Sequence, residues 1–186
     1  SAVIPPFTGT LRHWISDHVA LPDPAVNILS DQARQLLFVE ALAENPALFK
    51  EENKWQVSTA LLQLFDELAL NQVNSLEQGS DEWNKTLGNA YDCEDSNPHL
   101  QREAGLVYTL WQAWQQQLQD GKLLDTTSAY IKRLQHARTL VNDKRHFFLI
   151  APDHLTPCEQ HFMAFAAEHK MCTVIDYSKE PVSFDK

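Results

Sequence analysis

Basic residues are scarce in this 186-residue chain: 15 Lys and Arg stand against 25 Asp and Glu, for a net charge of −10 and a pI near 5.1. So acidic a surface repels phosphate backbones, whose neutralisation by Lys and Arg normally supplies most non-specific affinity, and tight autonomous DNA binding is not expected. Glycine is sparse too. Gly9, Gly79, Gly88, Gly105 and Gly121 are dispersed as helix stops or packing positions, and no G-x-x-x-x-G-K-[ST] loop is present to wrap backbone amides around a phosphate. Nothing resembles G-x-S-x-G, H-E-x-x-H or paired C-x-x-C, which removes the common signatures of serine hydrolases, zinc peptidases and zinc modules. Cys93, Cys158 and Cys172 are too few and too scattered for a disulfide framework, so a reduced, cytoplasmic protein is expected. No apolar run approaches the roughly 18 residues that cross a bilayer, and neither a membrane partner nor a secretory leader is expected.

What is present is ordinary globular composition, 44% hydrophobic and 22% charged, in a chain long enough to bury a real core. Residues 1–146 read as almost entirely helical. "TLRHWISDHV" is a short amphipathic stretch closed by Pro22 and Pro24. Ser30 suits the N-cap of a helix running to about Glu44, and Asn45-Pro46 ends it. A helix from near Trp55 carries Val57, Leu61, Leu64, Phe65 and Leu68 on one face, and Ser80 can cap a shorter one through Trp83 and Leu87. "HLQREAGLVYTLWQAWQQQLQDG" gives the strongest periodicity: Leu100, Ala104, Val107, Trp111, Trp114 and Leu118 recur at steps of three and four, with glutamines opposite and Gly121 as the stop. A last helix from about Thr127 to Val141 places Tyr130, Ile131, Leu134, Ala137 and Val141 inward.

After Arg145-His146 the pattern changes. "FFLIA" is a continuous apolar run of strand length, as expected for a strand covered on both faces. Thr156, Pro157 and Glu159 then form a capping box with Thr at N-cap, Pro at N1 and Glu at N3. Phe162, Met163, Phe165 and Ala166 give the helix a buried face, and "CTVID" reads as a second strand. Strand, helix and strand of these lengths make one βαβ crossover, whose strands should pair in parallel. One such unit is too small a sheet to stand alone. The chain is therefore expected to be an excised piece of something longer, with a helical bundle over residues 1–146, a βαβ fragment over 147–178 and a tail over 179–186.

Several residue groups could carry chemistry, and each has a plain structural alternative. His154, Cys158 and His161 cluster at the head of the last helix as a metal candidate with Glu159 beside them, but a fourth ligand is not evident and a surface histidine, a buried thiol and another surface histidine explain them better. Cys93 with His99 is a weaker pair of the same kind. Lys132, Arg133, Arg138, Lys144 and Arg145 are the one local basic concentration; a solvated helix face and a turn is the plainer account, with DNA contact inside a larger assembly as the functional one. Trp111 and Trp114 could stack on bases, but their core-facing spacing argues for burial. The acidic pairs Asp66-Glu67, Asp81-Glu82 and Glu94-Asp95 read as solvated helix faces and loop charge.

The order of features resembles UvrD-type helicases. In that family motor domain 1A is interrupted by a helical 1B insertion, and the chain returns through a strand bearing D-E-x-Q-D, a helix opening T-[NP]-x-x-Q, and a second strand leading to G-D-x-x-Q. Matching Thr156 and Gln160 to that Thr and Gln puts Ala151 and Pro152 where the magnesium-ligating Asp and the water-activating Glu would stand, and Leu155 at the second Asp. Asp153 falls two positions late, followed by His154 instead of glutamate. The degenerate "PDHLTP" is similar to the "G-F-D-x-L-T-P" phrase of the inactivated helicase domain in AddB-type helicase–nuclease subunits. "VIPPFTGTLRHWI", "QARQLLFVEAL", "WQVSTALLQLFDEL" and "TLWQAWQQQLQDGKLLDTTSAYIKRL" are similar to that group's helical insertion.

The resemblance implies a mainly α chain, a helical insertion bundle followed by a βαβ fragment of a RecA-like α/β domain. ATP hydrolysis needs a phosphate cradle, a metal-ligating acid and a positioned water. Ala151 and Pro152 offer no ligand or base, so a non-catalytic segment of a bacterial helicase–nuclease-like DNA-repair protein is expected, with no catalytic residue and no cofactor. Its implied partners are other domains of the same parent protein and DNA within the full assembly. The excised fragment is also expected to dimerise through exposed strand edges. The acidic charge suits a competing reading, a free-standing helical protein–protein interaction module.

Overall fold

A computed structural model of the chain describes residues 8–44, 53–71, 98–139, 147–150 and 154–175. The described residues are mainly helical, with six helices and two two-stranded parallel sheets. Contacts group the chain into two compact units, Ala25–Ala129 and Ser1–Pro24 with Tyr130–Lys186. The second grouping places the N-terminal helix with the strand–helix–strand.

The Ala25–Ala129 unit contains β1 (Asn27–Ile28), α2 (Asp31–Ala43), α3 (Lys54–Leu70), α4 (Pro98–Asp120), β2 (Leu123–Leu124) and the first turn of α5 (Thr126–Ala137). Ser30 caps α2 as expected, its hydroxyl accepting from Ala33 N at 3.2 Å. Phe38, Leu42, Leu62, Phe65, Leu68, Trp111, Trp114 and Leu118 form one buried cluster. Phe38 meets Trp114 edge to face at 5.2 Å and Phe65 at 5.7 Å, while Phe65 stacks on Trp111 at 6.4 Å, both geometries that ring quadrupoles favour. Each fully buried large apolar side chain contributes about 1.5–3 kcal/mol relative to exposure, so this cluster holds α2, α3 and α4 together.

The buried face of α3 is rotated from the expected one. Ser58 and Leu62 lie buried alongside Phe65 and Leu68, while Val57, Leu61 and Leu64 pack only partly buried at the rim. Ser58 tolerates complete burial because its hydroxyl donates to Trp55 O at 2.8 Å. The region is also not purely helical: β1 and β2 pair in parallel, Asn27 opposite Leu123 and Ile28 opposite Leu124. Two-residue strands carry no periodicity to read. Where α4 ends, the left-handed residue is Lys122 (φ 49°) and not Gly121. Gly121 serves close approach instead, since a Cβ there would sit 3.0 Å from Leu123 Cδ1.

The other unit contains α1 (Leu11–His18), the remainder of α5, β3 (Phe147–Ile150), α6 (Pro157–Glu168) and β4 (Cys172–Ile175). Thr10 caps α1 by accepting from His13 N. β3 and β4 are adjacent and parallel, with Phe147 opposite Cys172 through Ile150 opposite Ile175, as the crossover rule requires. Lys170 (φ 56°) closes α6 in a left-handed cap, with Lys170 N donating to Ala167 O and Met171 N to Ala166 O.

One expectation for β3 fails. The strand is not covered on both faces: Phe148 is 64% exposed and Ile150 58%. Residues two apart share a strand face, and a single crossover helix covers only one face of a two-stranded sheet. The expected helix after Ser80, Val141, the loop before Asn97 and the Ala151–Asp153 corner lie outside the described residues.

Candidate functional site

The head of α6 is the best-built polar cluster in its unit. Glu159 Oε2 accepts from Thr156 N at 2.9 Å, as the capping box predicts, and also from Thr156 Oγ1 at 2.9 Å. Its other oxygen accepts from the Tyr130 hydroxyl at 2.8 Å, so one carboxylate joins the start of α6 to α5. Arg12 of α1 lies over the Tyr130 ring, 4.6 Å from its centroid. Burial first, and the bond to Glu159 second, push the Tyr130 phenol well above its usual range, so it acts here as a neutral donor. Gln160 Nε2 donates to Leu155 O at 2.8 Å. Thr156 and Gln160, the two residues matched to the helicase pattern, are thus engaged in local capping.

The metal candidates are not brought together. Cys158 is buried, whereas His154 and His161 are exposed. Among the described residues no group of three or more His, Cys, Asp or Glu side chains is arranged to hold a metal ion. Cys93 and the His99 side chain lie outside the described set.

Of the basic residues, Lys132 is exposed on α5, Arg133 is half-buried, and Lys144 and Arg145 lie outside the described residues. Arg138, exposed just past α5, sits over the Phe165 ring at 5.7 Å. His169, the C-cap of α6, packs against the same ring, centroids 4.1 Å apart. Phe165 and His169 were legible as an i, i+4 pair on one face of α6, although apolar patterning alone assigns Phe165 to the core.

Sequence reasoning also missed the buried ionic centre of the Ala25–Ala129 unit. The Arg34 guanidinium grips Asp66 through two 2.8 Å bonds, donates to Leu62 O at 3.3 Å and lies 3.4 Å from Asp125. Asp125 in turn accepts from Ser128 N at 2.6 Å, capping α5. Asp66 is therefore not part of a solvated face; it neutralises a buried cation. The available signal was Arg34 falling at i, i+4, i+8 with Phe38 and Leu42 on the inward face of α2. Asp81-Glu82 and Glu94-Asp95 lie outside the described residues. Trp111 and Trp114 are 3% and 1% exposed, so their rings belong to the core and offer no stacking face to a nucleic acid.

No protein-family model, curated protein or solved structure matches this chain. Among the described residues no helix is long and apolar enough to cross a membrane.

Proposed function

We propose that the chain is a non-catalytic structural segment of a bacterial helicase–nuclease-like DNA-repair protein, in which the parallel β3–α6–β4 unit is a fragment of a RecA-like domain and the helices before it form an insertion. The observation that carries this reading is the parallel register of β3 and β4 around a helix opened by Thr156 and Glu159. That is the strand–helix–strand order in which a working motor would present its magnesium-binding acids. The residues directly after β3 are Ala151 and Pro152, which supply neither a metal ligand nor a base. The segment's role is to shape a DNA channel or to dock neighbouring domains.

The test has two arms. Magnesium-dependent ATP hydrolysis is expected to be absent; activity that persists through repurification and disappears in Asp153→Ala overturns the reading. In the second arm, salt-dependent binding of single- and double-stranded DNA is compared between the natural chain and one with Lys132, Arg133, Lys144 and Arg145 reversed in charge. Any binding should be weak, salt-sensitive and lowered by the reversal.

The net charge of −10, with Leu36 50% and Trp55 56% exposed, supports a second reading as an acidic helical module for a protein partner. The parent reading frame separates the two: a G-K-[ST] loop or its remnant upstream and a nuclease motif downstream favour the repair protein, and stop codons at both ends favour the module.

A further inference from the structure

The exposed Leu36 of α2 and Trp55 of α3 flank one bond between the two helices. Gln35 Nε2 donates to Thr59 Oγ1 at 2.8 Å, and Thr59 Oγ1 donates to Trp55 O at 2.9 Å. Arg34, one residue earlier on α2, reaches Leu62 O and Asp66, later on α3, so the helices run antiparallel. One turn from Gln35 toward the end of α2 stands Val39, and one turn from Thr59 toward the start of α3 stands Trp55. Antiparallel packing brings these two side by side. Val39 is half-buried and neighbours Leu36 at i, i+3. Leu36, Val39 and Trp55 therefore make one apolar patch across the helix pair, with the Gln35–Thr59 bond at its edge.

The charge around this patch has a single sign. Both cations of the helix pair, Arg34 and Lys54, are buried. The exposed charges on α2, α3 and their caps are Asp31, Glu40, Glu44 and Glu67, all acidic. Glu40 stands one turn beyond Leu36, and Glu44 one turn beyond Glu40. An exposed tryptophan beside aliphatic side chains is the kind of anchor that dominates protein interfaces. The acidic rim selects the occupant by its charge: it attracts Lys and Arg and repels phosphate backbones and anionic lipid. A second copy docking through the same face would bring like charges together. Two packed helices with an apolar seam receive a third helix through a stripe at i, i+3, i+4 and i+7.

From this arrangement we infer that the Leu36–Val39–Trp55 surface docks a cationic amphipathic helix of a protein partner, with its apolar stripe on the patch and its Lys or Arg beside Glu40 and Glu44. The inference deepens the interaction-module reading and rests on it for the partner being a protein.

The experiment is fluorescence anisotropy of labelled peptides with the full chain. The probes are a leucine–lysine peptide patterned as an amphipathic helix, the same residues with the leucines scattered around the helix, and an equally patterned leucine–glutamate peptide. The natural chain is compared with Trp55→Gln, Leu36→Gln and Glu40→Gln/Glu44→Gln. Glu103→Gln/Asp120→Asn is the control, since it removes two exposed acids of α4 for the same change in net charge. Each variant is first checked by circular dichroism melting, and Gln suits these exposed helical positions. The patterned lysine peptide is expected to bind most tightly, and less tightly as salt rises. Trp55→Gln should weaken it by about tenfold or more, and Leu36→Gln by less. Glu40→Gln/Glu44→Gln should weaken it by about threefold and reduce the salt dependence, with the α4 pair leaving both unchanged. No binding of the patterned lysine peptide, equal or tighter binding of either other peptide, affinity unmoved by Trp55→Gln, or equal loss in the two acid-neutralised pairs overturns the docking surface. Those outcomes leave the interaction-module reading to the parent reading frame, whereas a nuclease motif downstream overturns that reading and leaves the peptide measurement standing.

Discussion

Replacing Asp66 by alanine tests the buried ion pair that Arg34 makes in the Ala25–Ala129 unit. The Arg34 side chain is 7% exposed and Asp125 4%, whereas Asp66 retains 29%. Removing one partner of a buried ion pair typically costs about 3–5 kcal/mol, because the remaining charge stays desolvated and unpaired. Asp66 is partly wet, and Asp125 remains 3.4 Å from the guanidinium, so the expected loss for Asp66→Ala is smaller, about 2–3 kcal/mol. Arg34→Met should cost more, roughly 3–5 kcal/mol, since it strands the buried Asp125 carboxylate. Asp125→Ser keeps a cap on α5 and loses only the charge, which separates the ionic contribution from the roughly 1 kcal/mol of capping. Urea unfolding followed by tryptophan fluorescence is the assay, since buried Trp111 and Trp114 lie in the same unit. A loss of about 2 kcal/mol moves the midpoint by roughly 1 M urea at a typical slope. The Arg34→Met/Asp66→Ala double variant should show a coupling of at least about 1.5 kcal/mol. A midpoint unchanged in Asp66→Ala, or additive single effects, would mean that Arg34 reaches solvent and the clamp does not exist.

Tyr130 has its pKa raised in the folded state, so its contribution to stability is complete below the unfolded value of about 10 and is lost as pH rises beyond it; Tyr130→Phe should flatten the alkaline fall in stability measured by urea unfolding. Glu159→Ala deletes the acceptor for Thr156 N, Thr156 Oγ1 and Tyr130 OH, with an expected loss of about 2–3 kcal/mol, while Glu159→Gln should recover part of it; equal loss in both variants would refute the shared-acceptor account. Lys122→Gly relieves a left-handed residue and should raise the unfolding stability by about 1 kcal/mol, read in the same urea assay. Phe148→Thr/Ile150→Thr removes two exposed apolar side chains from β3 and should lower concentration-dependent light scattering; a natural chain that stays monomeric at all concentrations argues against association through this strand.

Local signals were legible where short-range chemistry decides conformation. Ser30 and the Thr156-Pro157-Glu159 box sit at helix starts because a side-chain oxygen near an unpaired backbone N–H is a local event, independent of what packs above it. The stripe from Trp111 to Leu118 was readable because a long helix repeats its buried positions. Less was visible of the polar sites. Arg34 and Asp66 are 32 residues apart, Tyr130 and Glu159 are 29, and nothing in either neighbourhood names its partner. The buried face of α3 was misplaced because Ser58 counts as polar until its bond to Trp55 O is known.

The sequence by itself determined the helical character, most helix starts, and the parallel pairing of β3 with β4, since a helix-length crossover such as α6 carries the chain back to the start of the sheet to run in the same direction. Only the tertiary structure decided which charges are buried, that β3 keeps Phe148 and Ile150 in solvent, and that Arg138 comes over Phe165. The reason is physical: backbone hydrogen bonding acts over a few residues, whereas burial and charge pairing depend on which distant segments arrive at the same place.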